Sequence, residues 1–326
     1  MMRISSVLKH FVIATVGFAL VAALGVAGRV QAQITEPTLA PSFSNLYSLT
    51  DLGSVPGIPL AYGGLTFKPK NPDVLLIGGS ADTPDAGIYS VKVKRGYDDH
   101  IIGFGVPSFV AKAPGISDGG IDAGLVYTPK KDVLLYTTYG DNTLGEIQRG
   151  SAEPDKKVDL SSLGITSSTG ALNFVPQGFA GAGRLKITSY TANEFYDTTI
   201  TPDGSGTYDI NVPSKSVKLD GGLDSFIYVK AGNPGFSKDS LLIEEYDNNR
   251  VSAYTIDQNG DPIPDTRQDF ITELGFHLPT TTIGVMGATI DPVTGDFLFV
   301  SYFEDTASES QSESKIFAVR RLKTYY

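Results

Sequence analysis

The sequence predicts an all-β fold, a single β-propeller of five blades, with six as the alternative. Three observations carry that expectation. A strand phrase recurs five times along the 326 residues. No stretch after residue 33 sustains a helical period of 3.6. The chain also holds 36 glycines and 19 prolines, a turn-rich composition that suits many short strands better than long helices.

Residues 1–32 read as a secretory signal peptide. Arg3 and Lys9 make a positive start, Phe11 to Gly28 is apolar and uncharged, and Val30-Gln31-Ala32 offers a cleavage site before Gln33. An uncleaved anchor is the competing reading, because the run is just long enough to span a bilayer. Cleavage implies a secreted or periplasmic protein with no membrane attachment. Residues 33–44 are expected to be a short leading segment, 45–322 the propeller and 323–326 a tail. The formal charge is −10, and losing Arg3, Lys9 and Arg29 makes it −13. That balance argues against nucleic acid, which needs a basic surface. Cysteine is absent, which removes disulfides, thiol catalysis and Cys-ligated zinc.

The repeat begins as Gly64-Leu65-Thr66-Phe67-Lys68-Pro69 and returns as Gly124-Leu125-Val126-Tyr127-Thr128-Pro129. Ala171-Leu172-Asn173-Phe174-Val175-Pro176 is the third copy, Ser225-Phe226-Ile227-Tyr228-Val229 a weaker fourth, and Gly287-Ala288-Thr289-Ile290-Asp291-Pro292 the fifth. The anchors Leu65, Leu125, Leu172, Phe226 and Ala288 are 60, 47, 54 and 62 residues apart. Each is followed by a more apolar second strand, such as Leu75-Leu76-Ile77 or Leu241-Leu242-Ile243, and then by a third strand after a polar loop. Three or four strands at this period mark a propeller blade. Six blades would require a degenerate unit within 95–118.

Fourth strands end in related phrases: Val158 to Gly164, Phe270 to Gly275 and, more loosely, Val217 to Gly221. The last repeat lacks one, and the phrase stands instead at Tyr47-Ser48-Leu49-Thr50-Asp51-Leu52-Gly53. The N-terminal strand is therefore expected to complete the last blade and close the ring, which removes two open sheet edges. On these phrases the chain resembles secreted bacterial β-propeller proteins, with a lactonase or NHL-like likeness at the level of the fold. The resemblance implies a fold and no activity, because propellers host lectins, lactonases, glycosidases and scaffolds.

Alternating strands place two loop sets on one face: those between blades and those joining second to third strands. This face is rich in Asp, Asn, Tyr and Ser/Thr, so a ligand is expected there, near the central channel. Asp122 and Asp224 stand where innermost strands begin, and Glu245 ends a second strand where other blades carry Gly79, Thr138, Ser189 and Ser301. One reading makes Asp122, Asp224 and Glu245 oxygen ligands of calcium; the other makes them turn-capping or solvated carboxylates. Tyr139, Tyr190, Tyr246 and Tyr302 recur at one offset and either rim a ligand pocket or pack the blades. His277 lies on the same face as a candidate contact or acid–base group. His100 is expected in an exposed turn, and Asp257 to Asp261 resembles the start of a calcium loop but suits a hairpin turn better. The leading expectation is a non-catalytic, monomeric binding module for a small molecule, a glycan or a protein. The rival is a calcium-dependent hydrolase of the lactonase kind.

Overall fold

Second strands are the most apolar part of each repeat, and burial on both faces drives them to the interior of a sheet. The structure, a computed structural model, describes residues 37–212, 216–274, 277–278, 281–282, 284–301 and 314–323. It is an all-β, five-bladed propeller. Blade one runs from its inner strand Leu65–Phe67 through Val74–Gly79 and Gly87–Arg95 to the outer strand Ser108–Lys112. Blade two is Ile121–Tyr127, Val133–Thr138, Thr143–Gln148 and Lys156–Asp159. Blade three is Thr169–Phe174, Leu185–Ser189, Glu194–Pro202 and Ser216–Lys218. Blade four is Leu223–Val229, Ser240–Glu245, Arg250–Thr255 and Gln268–Thr272. Blade five is Val285–Ile290, Phe297–Ser301, Ile316–Arg321 and, from the other end of the chain, Tyr47–Asp51. Inner strands touch their neighbours in sequence order, and the fifth touches the first.

Closure occurs where the repeated phrase places it. Tyr47–Asp51 pairs antiparallel with Ile316–Arg321, Tyr47 opposite Arg321 and Asp51 opposite Phe317. The stretch 95–118 contains no sixth blade. Ile101–Phe104 pairs with the projecting end of the third strand, and Ser108–Lys112 is the ordinary outer strand of blade one. Blade three carries a similar outer ribbon, Tyr208–Asn211.

The propeller also begins earlier than residue 45. Thr38–Leu39 adds a strand to the outer edge of blade four, opposite Thr272 and Ile271. Phe43 is buried, with ring centroids 4.8 Å from Phe270 and 5.3 Å from Phe236. The chain entering the closing strand must cross the outer edge of blade four, and covering that edge buries three aromatic rings together.

The core lies between blades. Leu241 and Ile243 face blade three with Phe195, whereas Leu242 faces blade five with Phe297 and Phe299. The seam between blades five and one adds ion pairs. Arg95 donates to both carboxylate oxygens of the fully buried Asp291, at 2.7 and 3.0 Å. His100 is part-buried rather than exposed, with Nδ1 2.6 Å from Asp296 of blade five. Asp257 to Asp261 forms a hairpin turn closed by the Asp257 N–H on the Asp261 carbonyl at 2.9 Å, and the Asp261 carboxylate meets the buried Lys186 ammonium. Among the described residues no helix is long and apolar enough to cross a membrane.

Candidate functional site

Four of the five inner strands bulge just before their anchors. The register shifts between Ile121 and Leu125, Thr169 and Leu172, Leu223 and Phe226, and Val285 and Ala288. A bulge re-aims the side chains within it, and Asp122, Asp224 and Met286 sit in three of these. They line one pocket of about 390 Å³, together with Asp82, Tyr139, Tyr190 and Tyr246. Ala61, Ala81, Ala123 and Ala171 pack with Met286 into a small-residue cluster in contact with Tyr246.

Asp122 and Asp224 are 3% and 4% exposed although they come from blades two and four. Burial is the main cause that raises both carboxyls well above the usual aspartate range. Asp82, Asp224 and Glu244 push Asp122 further up, and Glu244, Asp82 and Asp247 do the same to Asp224. Glu244 is fully buried, and desolvation pushes it up to about 8 although Oε2 accepts the Gly287 N–H at 2.8 Å. Asp224 Oδ1 and Glu244 Oε1 meet no hydrogen-bond donor among the described residues. Asp141, on the same face, shows the contrast. It accepts the Ser117 N–H at 2.8 Å and the Thr138 hydroxyl, and such hydrogen bonds hold it below the usual range against its partial burial.

The tyrosines stand edge to face in a row. Tyr139 and Tyr190 have centroids 5.6 Å apart at 72°, and Tyr190 and Tyr246 are 5.7 Å apart at 86°. The Tyr190 hydroxyl donates to Asp247 Oδ1 at 2.6 Å. Two glycines make room for these rings: a Cβ on Gly284 would lie 2.0 Å from the Tyr246 ring, and one on Gly222 would lie 2.6 Å from Tyr190. Asn142, Asn193 and Asn249 take up φ of 52°, 54° and 52° where the tyrosine-bearing loops turn back into third strands, a conformation asparagine tolerates better than most residues.

Of the residues singled out in the sequence, Asp122, Asp224, Tyr139, Tyr190 and Tyr246 are brought together. Glu245 is not. Its side chain lies on the opposite face of the strand from Glu244, where Arg267 grips both oxygens at 2.8 and 2.6 Å and the Tyr254 hydroxyl donates at 2.7 Å. The backbone of His277–Leu278 pairs with Thr281–Thr282 in a two-stranded hairpin, and the His277 side chain lies outside the described residues. Tyr302 also lies outside them, as do residues 1–32. Among the described residues no three His, Asp or Glu side chains are arranged to hold a metal ion. The three expected calcium ligands are therefore not brought together: Arg267 holds Glu245 on the other face of its strand, while Asp122 and Asp224 line the pocket.

Sequence reasoning missed Asp82 and Glu244. Glu244 had a visible signal, because the equivalent positions are Gly78, Thr137, Thr188 and Val300. Asp82 had only its place in a loop of the ligand face, since the second strand before it leads into Ser80 rather than tyrosine.

No protein-family model and no curated protein matches the chain. Solved structures with a similar course include the PQQ-bound aldose sugar dehydrogenase of Streptomyces coelicolor, at 14% identity and TM-score 0.41, covering 82% of this chain and 84% of that one. A calcium structure of a Trichoderma reesei carbohydrate-active enzyme of family AA12 aligns at 12% identity and TM-score 0.43, covering 91% of this chain and all (100%) of the other. An auxiliary nutrient binding protein of Bacteroides thetaiotaomicron aligns at 12% and 0.41, covering 84% and 77%. What those proteins bind or oxidise is a property of those proteins.

Proposed function

We propose that the protein is an extracytoplasmic, non-catalytic binding module that takes a small molecule in the pocket at the mouth of its central channel. The observation that supports this is convergence. Two buried aspartates from blades two and four and three tyrosines from successive loops meet around one pocket of about 390 Å³. That volume is in the range of small-ligand sites, with aromatic walls and a few convergent polar groups. Asp224 Oδ1 meets no hydrogen-bond donor among the described residues, so a ligand accounts for its placement better than folding does. The rival hydrolase reading would need Glu245 beside them, and Arg267 holds that carboxylate elsewhere.

A panel of sugars, amino acids, amines and lactones is to be screened by ligand-observed NMR against the wild type and the Tyr139→Ala and Asp224→Asn variants. Hits that bind the wild type, are lost in both variants and are recovered unchanged support the reading. Hits that survive both substitutions place binding elsewhere, and turnover of a lactone sensitive to them would make the protein an enzyme. Export is checked by the intact mass of protein recovered outside the cytoplasm, which is expected to begin at Gln33.

A further inference from the structure

The lining of the pocket is unusual in what it combines. It holds three aspartates, Asp82, Asp122 and Asp224, and three tyrosines, with Met286 beside them and, among the described residues, no lysine, arginine or histidine. Asp224 is more than nine-tenths buried, and its Oδ1 meets no described donor. An acceptor held that way has lost its water and has no described donor in exchange, which is unfavourable for a buried polar group. From this geometry, and resting on the pocket reading above, we propose that the ligand is a small organic cation. Its alkylammonium or quaternary ammonium head would be seated against Asp122 and Asp224 and enclosed by Tyr139, Tyr190 and Tyr246.

Charge sign follows from the acids. Asp82, Asp122, Asp224 and Glu244 repel one another, and Asp247 adds to the field at Asp224. A positive ligand relieves that repulsion, whereas a neutral one leaves it in place. The choice of an organic ion over a metal follows from the walls. A hard cation takes six to eight oxygens at short range; among the described residues no three acidic side chains are arranged to surround one, and tyrosine and methionine face the rest of the pocket. The same walls suit an alkylated nitrogen, whose carbons need apolar contact and whose charge is attracted to aromatic faces. The rings meet at 72° and 86°, so they form corners of a box rather than a flat stack.

The probe is choline, set against its uncharged isostere in which carbon replaces nitrogen, with both titrated calorimetrically into the full chain. Choline is expected to bind and the isostere to bind about tenfold more weakly or worse, the range of a desolvated cation–π contact with a carboxylate behind it. Asp224→Asn is expected to weaken choline binding by about tenfold or more and to leave the isostere unchanged. If that variant does not fold, Tyr139→Ala at the exposed rim carries the test, with a loss for choline only. Equal affinity for both probes overturns charge selection while leaving the pocket a binding site. So does a neutral sugar that binds where choline does not. Calcium binding that Asp224→Asn abolishes and choline does not compete with would make the site a metal site. If no probe and no compound of the wider panel perturbs the pocket, the binding reading itself falls.

Discussion

Glu244 and Glu245 are neighbours on the second strand of blade four, both at 0% exposure, and they solve the problem of a buried carboxylate in opposite ways. Glu245 shares its face with Leu241 and Ile243 and is charged. Arg267, Tyr254 and Asn248 all donate to it, and those bonds hold it below the usual glutamate range against the upward push of burial. Glu244 looks the other way, toward the inner strand of blade five and the channel acids, with no described cation beside it and its pKa raised to about 8. The difference teaches that burial alone does not set protonation. Strand alternation by one residue decides whether the same side chain meets a guanidinium or other acids.

The largest effect is expected on the charged side. Removing one partner of a buried pair leaves the other charge stranded, at about 3–5 kcal/mol. Arg267→Met should cost about 3 kcal/mol, the low end, because Tyr254 and Asn248 still donate to Glu245 and the arginine is itself 34% exposed. A denaturant midpoint shift at constant slope measures it. A loss below about 1 kcal/mol would mean that Glu245 takes up a proton as readily as its neighbour, and the contrast would collapse.

A second test uses pH. A carboxyl raised from 4.5 to about 8 in the folded state contributes stability at low pH. That contribution is lost as pH rises, because the unfolded chain ionises first and gains about 1.4 kcal/mol per pH unit for the group. Glu245 has the opposite sign. Its contribution is present above the ordinary glutamate range and is lost as pH falls through its depressed value. Stability measured from pH about 5 to about 8 should therefore fall more steeply in the wild type than in Glu244→Gln, by up to about 1.4 kcal/mol per unit. Parallel curves would show that Glu244 is ionised across the range.

Much of this architecture was legible in the sequence, and the reasons are specific. The five anchors and the phrase shared by Tyr47 to Gly53 and Phe270 to Gly275 announced blades and closure, because every blade must solve the same packing problem. Leu39 and Phe43 were not legible, because they cover one edge once and so repeat nowhere. The tyrosines and Asp122 and Asp224 were legible as a face, since loop order fixes the end of the ring on which they lie. Glu245 was drawn into that face because counting along the second strand cannot tell which of two adjacent glutamates points to the channel. The bulges before the anchors set one extra inner-strand residue, and two in blade two, against the second strand, and so decide which side chains turn into the channel.

The smallest effects give the sharpest comparison, because the same substitution is made at both positions. At pH about 6, Glu244→Gln replaces a largely protonated carboxyl by an amide of nearly the same shape. Its oxygen can keep accepting the Gly287 N–H, and the variant no longer has to take up a proton at this position to fold, so the change should cost nothing or stabilise. Glu245→Gln removes a charge that Arg267 was bonded to at both oxygens, and hydrogen bonds to charged groups are each worth about 1.5–3 kcal/mol. Water can reach the part-exposed arginine, so the expected cost is about 1–2 kcal/mol rather than the sum. Chemical denaturation of the two variants side by side measures the difference. Equal costs would mean that both glutamates share one protonation state, and a larger cost at Glu244 would put the charge on the channel side instead. In the Arg267→Met background, Glu245→Gln should turn from destabilising to stabilising, since it then removes a buried charge without a partner. Glu244→Gln should be indifferent to that background, because the two side chains leave the strand on opposite faces.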